Sequence, residues 1–398
     1  MKSKVAGCLL FCLTLVLTLT ISARPDGRDN DDRDREQCRD VEHNEKTPLE
    51  AIGVIGIPGK TLASTDIAYV DSGTEKFFLA DRSNAGVDVI DAEDDTFVGR
   101  VTGFQGVNPA TGNGPNGVLA TPSRKLWVGD APARVQVADL EPSSPNYLKI
   151  IKTVDVSTSA CSPNCNRADE VGSDPKDHKV MAAIDQPNSS ASATTPIAPY
   201  AALIDTVTYG VQFVTIPNIT VGGGLEQPLW DGELGVFFLT VPSVGNPASG
   251  HGEIALINPK TGVVVNAYPT AGCGPSGEVL APYQRLVVEC GGNLLILNAH
   301  TGKLITTVTG VPADELWFNP GDDLVYSASG GTLYVVDPEG AGRIVQTLSD
   351  PGGRNEAAFA ENNHVFTPVR AAAGDQCSKF GFVGTGCVAV FEHVEAEK

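Results

Sequence analysis

From about Thr65 onward, apolar positions come in short β-branched and aromatic runs separated by Gly, Pro, Asn and Asp. No long stretch carries the 3.6-residue apolar period of an amphipathic helix, and runs cut by turn residues in this way predict strands. The runs group in fours. The clearest group is "DIAYV", "KFFLAD", "GVDVIDA" and "FVGRVTGF", from Asp66 to Phe104, and later groups open at Gly117, Glu170, Gln227, Gly277, Glu315 and Glu356. Third runs rhyme as "VDVIDAEDD", "IALINPKTG", "LLILNAHTG" and "LYVVDPEGAG", each ending on Asp or Asn before a turn.

A four-stranded unit repeated about seven times, at roughly 40 to 55 residues, predicts an all-β fold, a seven-bladed β-propeller. The last group holds only "EAAFAE", "HVFTPV" and "CVAVFEHV". The unassigned "IGVIGIP" at Ile52 to Pro58 is expected to supply its missing outer strand, which closes the ring and removes a free sheet edge.

The N-terminus reads differently. Residues 1–23 have Lys2 and Lys4, then "VAGCLLFCLTLVLTLTI", then "ISA" ending at Ala23, the pattern of a cleaved secretory signal peptide. Residues 24–47 are almost all charged or polar and predict a disordered leader. The single propeller domain then runs from residue 48 to 398. The expected localisation is secreted or in the secretory-pathway lumen, with "NSS" at Asn188 and "NIT" at Asn218 as glycosylation acceptors. Cys38, Cys161, Cys165, Cys273, Cys290, Cys377 and Cys387 remain after cleavage; Cys273 with Cys290 and Cys377 with Cys387 are the expected disulfides. The C-x3-C of Cys161 and Cys165 has no second pair to complete a zinc site. A net charge of -20 argues against nucleic acid and anionic membrane as partners.

"RADEVGSDPKDHKV" at Arg167 and "PADELWFNPGDDLV" at Pro312 repeat one phrase. Aligning the residues that lead into each innermost strand explains it. The second position is Asp66, Asn116, Asp169, Glu226, Ser276, Asp314 and Asn355, and the third adds Glu170, Gln227, Glu315 and Glu356. Every blade thus places a polar side chain at the mouth of the central channel. Such residues can cap turns and satisfy backbone N–H groups. A ring of carboxylates around one axis can also raise each member's pKa or recruit a cation. No D-x-D-x-D-G loop accompanies it, so no metal is assigned.

Long loops at about Asp185–Ala201, Val241–His251 and Arg370–Gly386, with Ser157–Arg167, are expected to wall a cup over this ring, the default place for a ligand. His251 lies on one of them. Trp127, Trp230 and Trp317 lie on strands, which favours core, although Trp230 and Trp317 sit close to the ring positions. G-x-S-x-G, H-E-x-x-H, the P-loop and a strand-following G-x-G-x-x-G are absent, so acid–base chemistry rests on the carboxylates.

"FFLADRSNAGVDVID", "GPNGV", "RADE", "GLEQPLW" and "NNHVFTPV" resemble the YncE-like (YVTN) seven-bladed propellers, over about Ile52 to Val394. Within that group the chain resembles secreted fungal propellers of secondary metabolism, such as the hetero-Diels–Alderases. That resemblance implies cycloaddition of a tropolone quinone methide to a humulene-type alkene, with hydrophobic polyketide or terpenoid substrates, no cofactor and a monomeric enzyme. No catalytic residue is carried over from that group. The residues expected to act are Asp169, Glu170, Asp314 and Glu315. Asp66, Asn116, Glu226, Gln227, Trp230, Ser276, Asn355, Glu356 and His251 are expected to bind ligand. A non-enzymatic binding propeller and a carboxylate- or metal-dependent lactonase or lyase remain alternatives.

Overall fold

The computed structural model describes residues 47–108, 112–162, 165–185, 197–221, 223–245, 249–270 and 272–394. The signal-peptide and leader readings, Cys38 and Asn188 lie outside the described residues. Strand β1 (Leu49–Gly56) is followed by six four-stranded sheets in simple sequence order. These are β2–β5 (Thr65–Thr102), β6–β9 (Val118–Asp155), β10–β13 (Val171–Thr215), β14–β17 (Pro228–Thr270), β18–β21 (Pro275–Thr309) and β22–β25 (Trp317–Ser349). The last sheet takes β26–β28 (Ala357–His393) and adds β1, in the order β1-β28-β27-β26. The protein is a seven-bladed propeller closed by its N-terminal strand.

Burial explains the run pattern. A middle strand is covered on both sides by neighbouring blades, so Lys76–Asp81 and Val236–Val241 are buried from their second residue onward. They read as continuous apolar runs, not as alternation. Outermost strands face solvent on one side, and Val263–Thr270 alternates between exposed and covered positions. The rhyming third strands end in side chains that cap the next turn. Asp205 Oδ1 accepts from Val207 N at 3.1 Å and Thr208 N at 2.8 Å, and Asp91, Asn258 and Asn298 do the same in their blades.

Closure is made by side chains as well as by the ladder. Strand β1 pairs antiparallel with β28 from Leu49↔His393 to Gly56↔Cys387. Gln346, on the outer strand of blade 6, accepts from Leu49 N at 2.8 Å and donates to Leu49 O at 2.9 Å. His393 reaches Thr47 O at 2.7 Å through Nδ1 and the Tyr326 hydroxyl at 3.0 Å through Nε2. Phe77 of blade 1 and Phe366 of blade 7 pack at 5.2 Å across the seam.

Both expected disulfides form, and Cys161–Cys165 is a third. Three disulfides point to an oxidising compartment. All three tie loops on the face from which the inner strands start. A C273S/C290S variant releases a crosslink between residues 17 apart and should lose about 3 kcal/mol. For a domain of roughly 350 residues that is a fall in thermal midpoint of about 4 °C, measurable by calorimetry under non-reducing conditions.

Candidate functional site

In each blade the inner strand leaves one face, here called the loop face, and ends at the turn into the second strand on the opposite, turn face. The lead-in residues form two tiers along the channel rather than one ring. In "ADE" the Asp pairs with an arginine while the Glu lines the cavity.

The tier nearer the loop face is a layer of ion pairs. Arg82 bonds Asp66 Oδ2 at 2.5 Å and Asn116 Oδ1 at 2.5 Å. Arg167 bonds Asp169 Oδ2 at 2.7 Å and reaches Asp185 Oδ2 at 3.4 Å. Arg354 pairs with Asp314, whose Oδ2 also accepts from Asn355 Nδ2 at 3.1 Å. Arg370 donates to Thr65 O at 2.5 Å and to Thr65 Oγ1 at 3.1 Å. Burial pushes Asp66 up to about 6 against the pull of Arg82, and burial with repulsion from Asp169 pushes Asp185 up to about 7. Asp169 and Asp314 therefore hold arginines, and polar pairs ring this end of the channel.

The second tier lies deeper. Glu170, Gln227, Glu278, Glu315 and Glu356 line a cavity of about 460 Å³ in the channel. Its remaining walls are apolar, among them Ile67, Tyr69, Leu119, Leu229, Trp230, Leu280, Trp317 and Phe318. The lining runs along the inner strands to Ser173 and then Pro175, in the turn after β10 (Val171–Asp174). Tyr69 meets Trp317 edge to face with ring centroids 5.5 Å apart. Among the described residues, none from the loops expected to wall a cup belongs to this lining. The cavity lies on the turn-face side of the acids, away from the face that loop length favours.

Burial raises the pKa of every second-tier glutamate. For Glu170 repulsion from Glu315 adds to it, and Glu356 reaches about 8. Glu226, part-buried beside Asp185, is raised by burial and then by Glu170. Burial favours the neutral form of these carboxyl groups, the form that can donate a hydrogen bond as well as accept one.

Two glycines let the blades close around this tier. A Cβ on Gly117 would stand 2.5 Å from Glu170 Cα, and one on Gly277 would stand 2.7 Å from Glu315 Cα. The "PNG" and "PSG" lead-ins thus carry no side chain at the third position because the next blade's "ADE" backbone occupies the space.

The other candidate residues separate in role. Asn116 donates to Ala168 O at 2.8 Å, and Ser276 donates to Glu289 Oε2 at 2.7 Å and Ala313 O at 3.2 Å, so both tie backbone and neighbouring blades together. Gln227 reaches blade 5 and accepts from Glu278 N at 2.5 Å, while Glu356 accepts from Ala328 N. Trp230 and Trp317 line the cavity; Trp127 is wholly core. His251 is exposed and accepts from Gly272 N at 2.8 Å, outside the cavity lining. Asn218 is exposed in a turn with φ 59°. Glu278 and the four arginines are not among the residues that the sequence pattern singles out.

Fold and cavity together define a seven-bladed propeller with an acid-lined cavity in its channel. Among solved structures the chain is similar to the β-propeller domain of Myceliophteria thermophila Cps50 (Swd1), with a TM-score of 0.61 at 11% identity over 87% of this chain and 100% of that one. It is also similar to the WD40 propeller domain of Doa1 (0.59, 12%, 88% and 98%) and to a chain of the mitotic checkpoint complex (0.57, 13%, 97% and 100%). At these identities the likeness establishes the fold alone. No family model and no curated protein matches the sequence.

Proposed function

We propose that the protein is a cofactor-free catalyst of a hetero-Diels–Alder type cycloaddition, joining an oxygenated heterodiene such as a tropolone quinone methide to a humulene-type alkene. The observation that carries this reading is the pairing of apolar walls with buried carboxyl groups at one end of a cavity. Such a reaction forms one C–O and one C–C bond as the O=C–C=C unit adds across the alkene. It needs no nucleophile, leaving group or net proton transfer. What helps is holding both partners in one orientation, which is worth up to about 7–11 kcal/mol. Hydrogen bonds to the carbonyl oxygen also help, because negative charge builds there as the bonds form.

The cavity reading differs from the sequence expectation in its face and in its residues. Glu170 and Glu315 keep a direct role as lining acids, while Asp169 and Asp314 act behind them by holding Arg167 and Arg354. An apolar wall favours this reading over a binding propeller with a flat, wet face. The test uses the protein, a quinone-methide precursor and a macrocyclic sesquiterpene alkene, with adducts separated by chiral chromatography against a heat-killed control. One enantiomer should form in excess and faster than in the control. A racemic adduct at the control rate would remove the reading for those partners.

A further inference from the structure

The repeated "ADE" phrase draws attention to Glu170 and Glu315, yet in each only one carboxyl oxygen is buried without a partner among the described residues. Glu278 stands differently. It is 0% exposed, it lines the cavity, and neither of its carboxyl oxygens has a hydrogen-bond partner among the described residues. The four arginines of the channel are engaged in the tier on the loop-face side, with Asp66, Asp169, Asp314 and Thr65. On the neighbouring inner strand the Trp317 indole N–H is also buried, in the lining, and without a partner.

A buried acid with nothing to bond destabilises the fold, and a native protein seldom keeps one without a use. Methionine would fill a similar volume without that cost. We propose that Glu278 grips the carbonyl oxygen of a neutral ligand whose unsaturated hydrocarbon frame lies along Trp230, Leu280 and Phe318. A carbonyl oxygen accepts from the O–H of a protonated carboxyl group. Burial favours the neutral acid, the form able to donate. Glu278 is then a catalytic residue, because the same bond polarises the heterodiene. This assignment rests on the cavity being the ligand site.

The experiment separates the two claims with a pair of probes of one shape: acetophenone, and α-methylstyrene, in which C=CH2 replaces C=O. Calorimetric titration of the full chain should show acetophenone binding about tenfold tighter, the effect of about one good hydrogen bond. The infrared carbonyl stretch of the bound ketone should move to lower wavenumber. In E278M the preference should vanish, the stretch should return to its value in hydrocarbon solvent, and the thermal midpoint should not fall. E278Q keeps a weaker N–H donor, so its stretch shift should be smaller than in the wild type. That smaller shift decides the question even if E278M does not fold. If the wild type binds neither probe, the cavity reading falls and this assignment with it. If the wild type prefers the ketone and both variants keep the preference and the full shift, the cavity stands and Glu278 is not the grip.

Discussion

A chain lacking residues 47–56 should fail to reach the native state as a monomer. Strand β1 supplies the outer edge of blade 7, and with it go seven register pairs, buried Leu49 and Ile55, the Gln346 clamp and the His393 bond to Thr47. Burying each large aliphatic side chain contributes about 1.5–3 kcal/mol, and the paired backbone adds to that. Against a total stability of about 5–15 kcal/mol the sum is decisive. The remaining edge of β28 (Cys387–His393) would be an exposed template for association. Size-exclusion chromatography and circular dichroism should show aggregate or unfolded chain, and a peptide covering residues 47–58 added in trans should restore a cooperative melt. A truncated protein melting within a few degrees of the full chain would mean that the ring does not depend on this strand.

Stability should fall as pH rises from about 4.5 to 8, opposite to the usual acid denaturation. Glu356 is 1% exposed, and burial raises its folded-state pKa to about 8, against 4.5 when unfolded. A group whose folded pKa is raised contributes stability that is fully present below the unfolded value and lost as pH climbs through the folded one. A shift of this size is on the order of 5 kcal/mol. Asp350, pushed up to about 7 by burial, acts in the same direction. Surface turn acids such as Asp91 are lowered by their hydrogen bonds and lose stability only below about pH 4. A maximum near pH 4–5 follows. Thermal midpoints at constant ionic strength should drop by about 7 °C or more between pH 5 and pH 9, and E356Q should flatten the curve. A midpoint that is level or rises over that range would show these acids to be ionised in the native state.

The architecture is legible in the sequence because propeller blades write it locally. Runs such as "KFFLAD" are buried on both sides, and Asp91, Asn258 and Asn298 cap equivalent turns, so the repeat survives in residue type. Two of the disulfides are legible because their cysteines bracket strand ends. Cys161–Cys165 is not, since C-x3-C within one loop carries no partner signal. The site is half legible. Alignment of lead-ins brings the acids together but does not separate those that hold arginines from those that line the cavity. Glu278 escapes because a register shift between Pro275 and Glu278 brings the fourth lead-in residue, not the third, into the channel. The arginines escape because Arg82 and Arg370 come from second-to-third-strand loops, whereas Arg167 and Arg354 come from lead-ins. Only the closed ring puts them together. The residues that line the channel cavity come from the inner strands and their lead-ins, which loop length does not report.

The most direct test is a crystal structure of the protein with the proposed cycloadduct bound. The adduct should lie in the channel against Trp230 and Trp317, with its former carbonyl oxygen toward Glu278 and its hydrocarbon part toward the turn face. An adduct resting instead on the loop face, over Arg82, Arg167, Arg354 and Arg370, would contradict the assignment of the acid-lined cavity as the site.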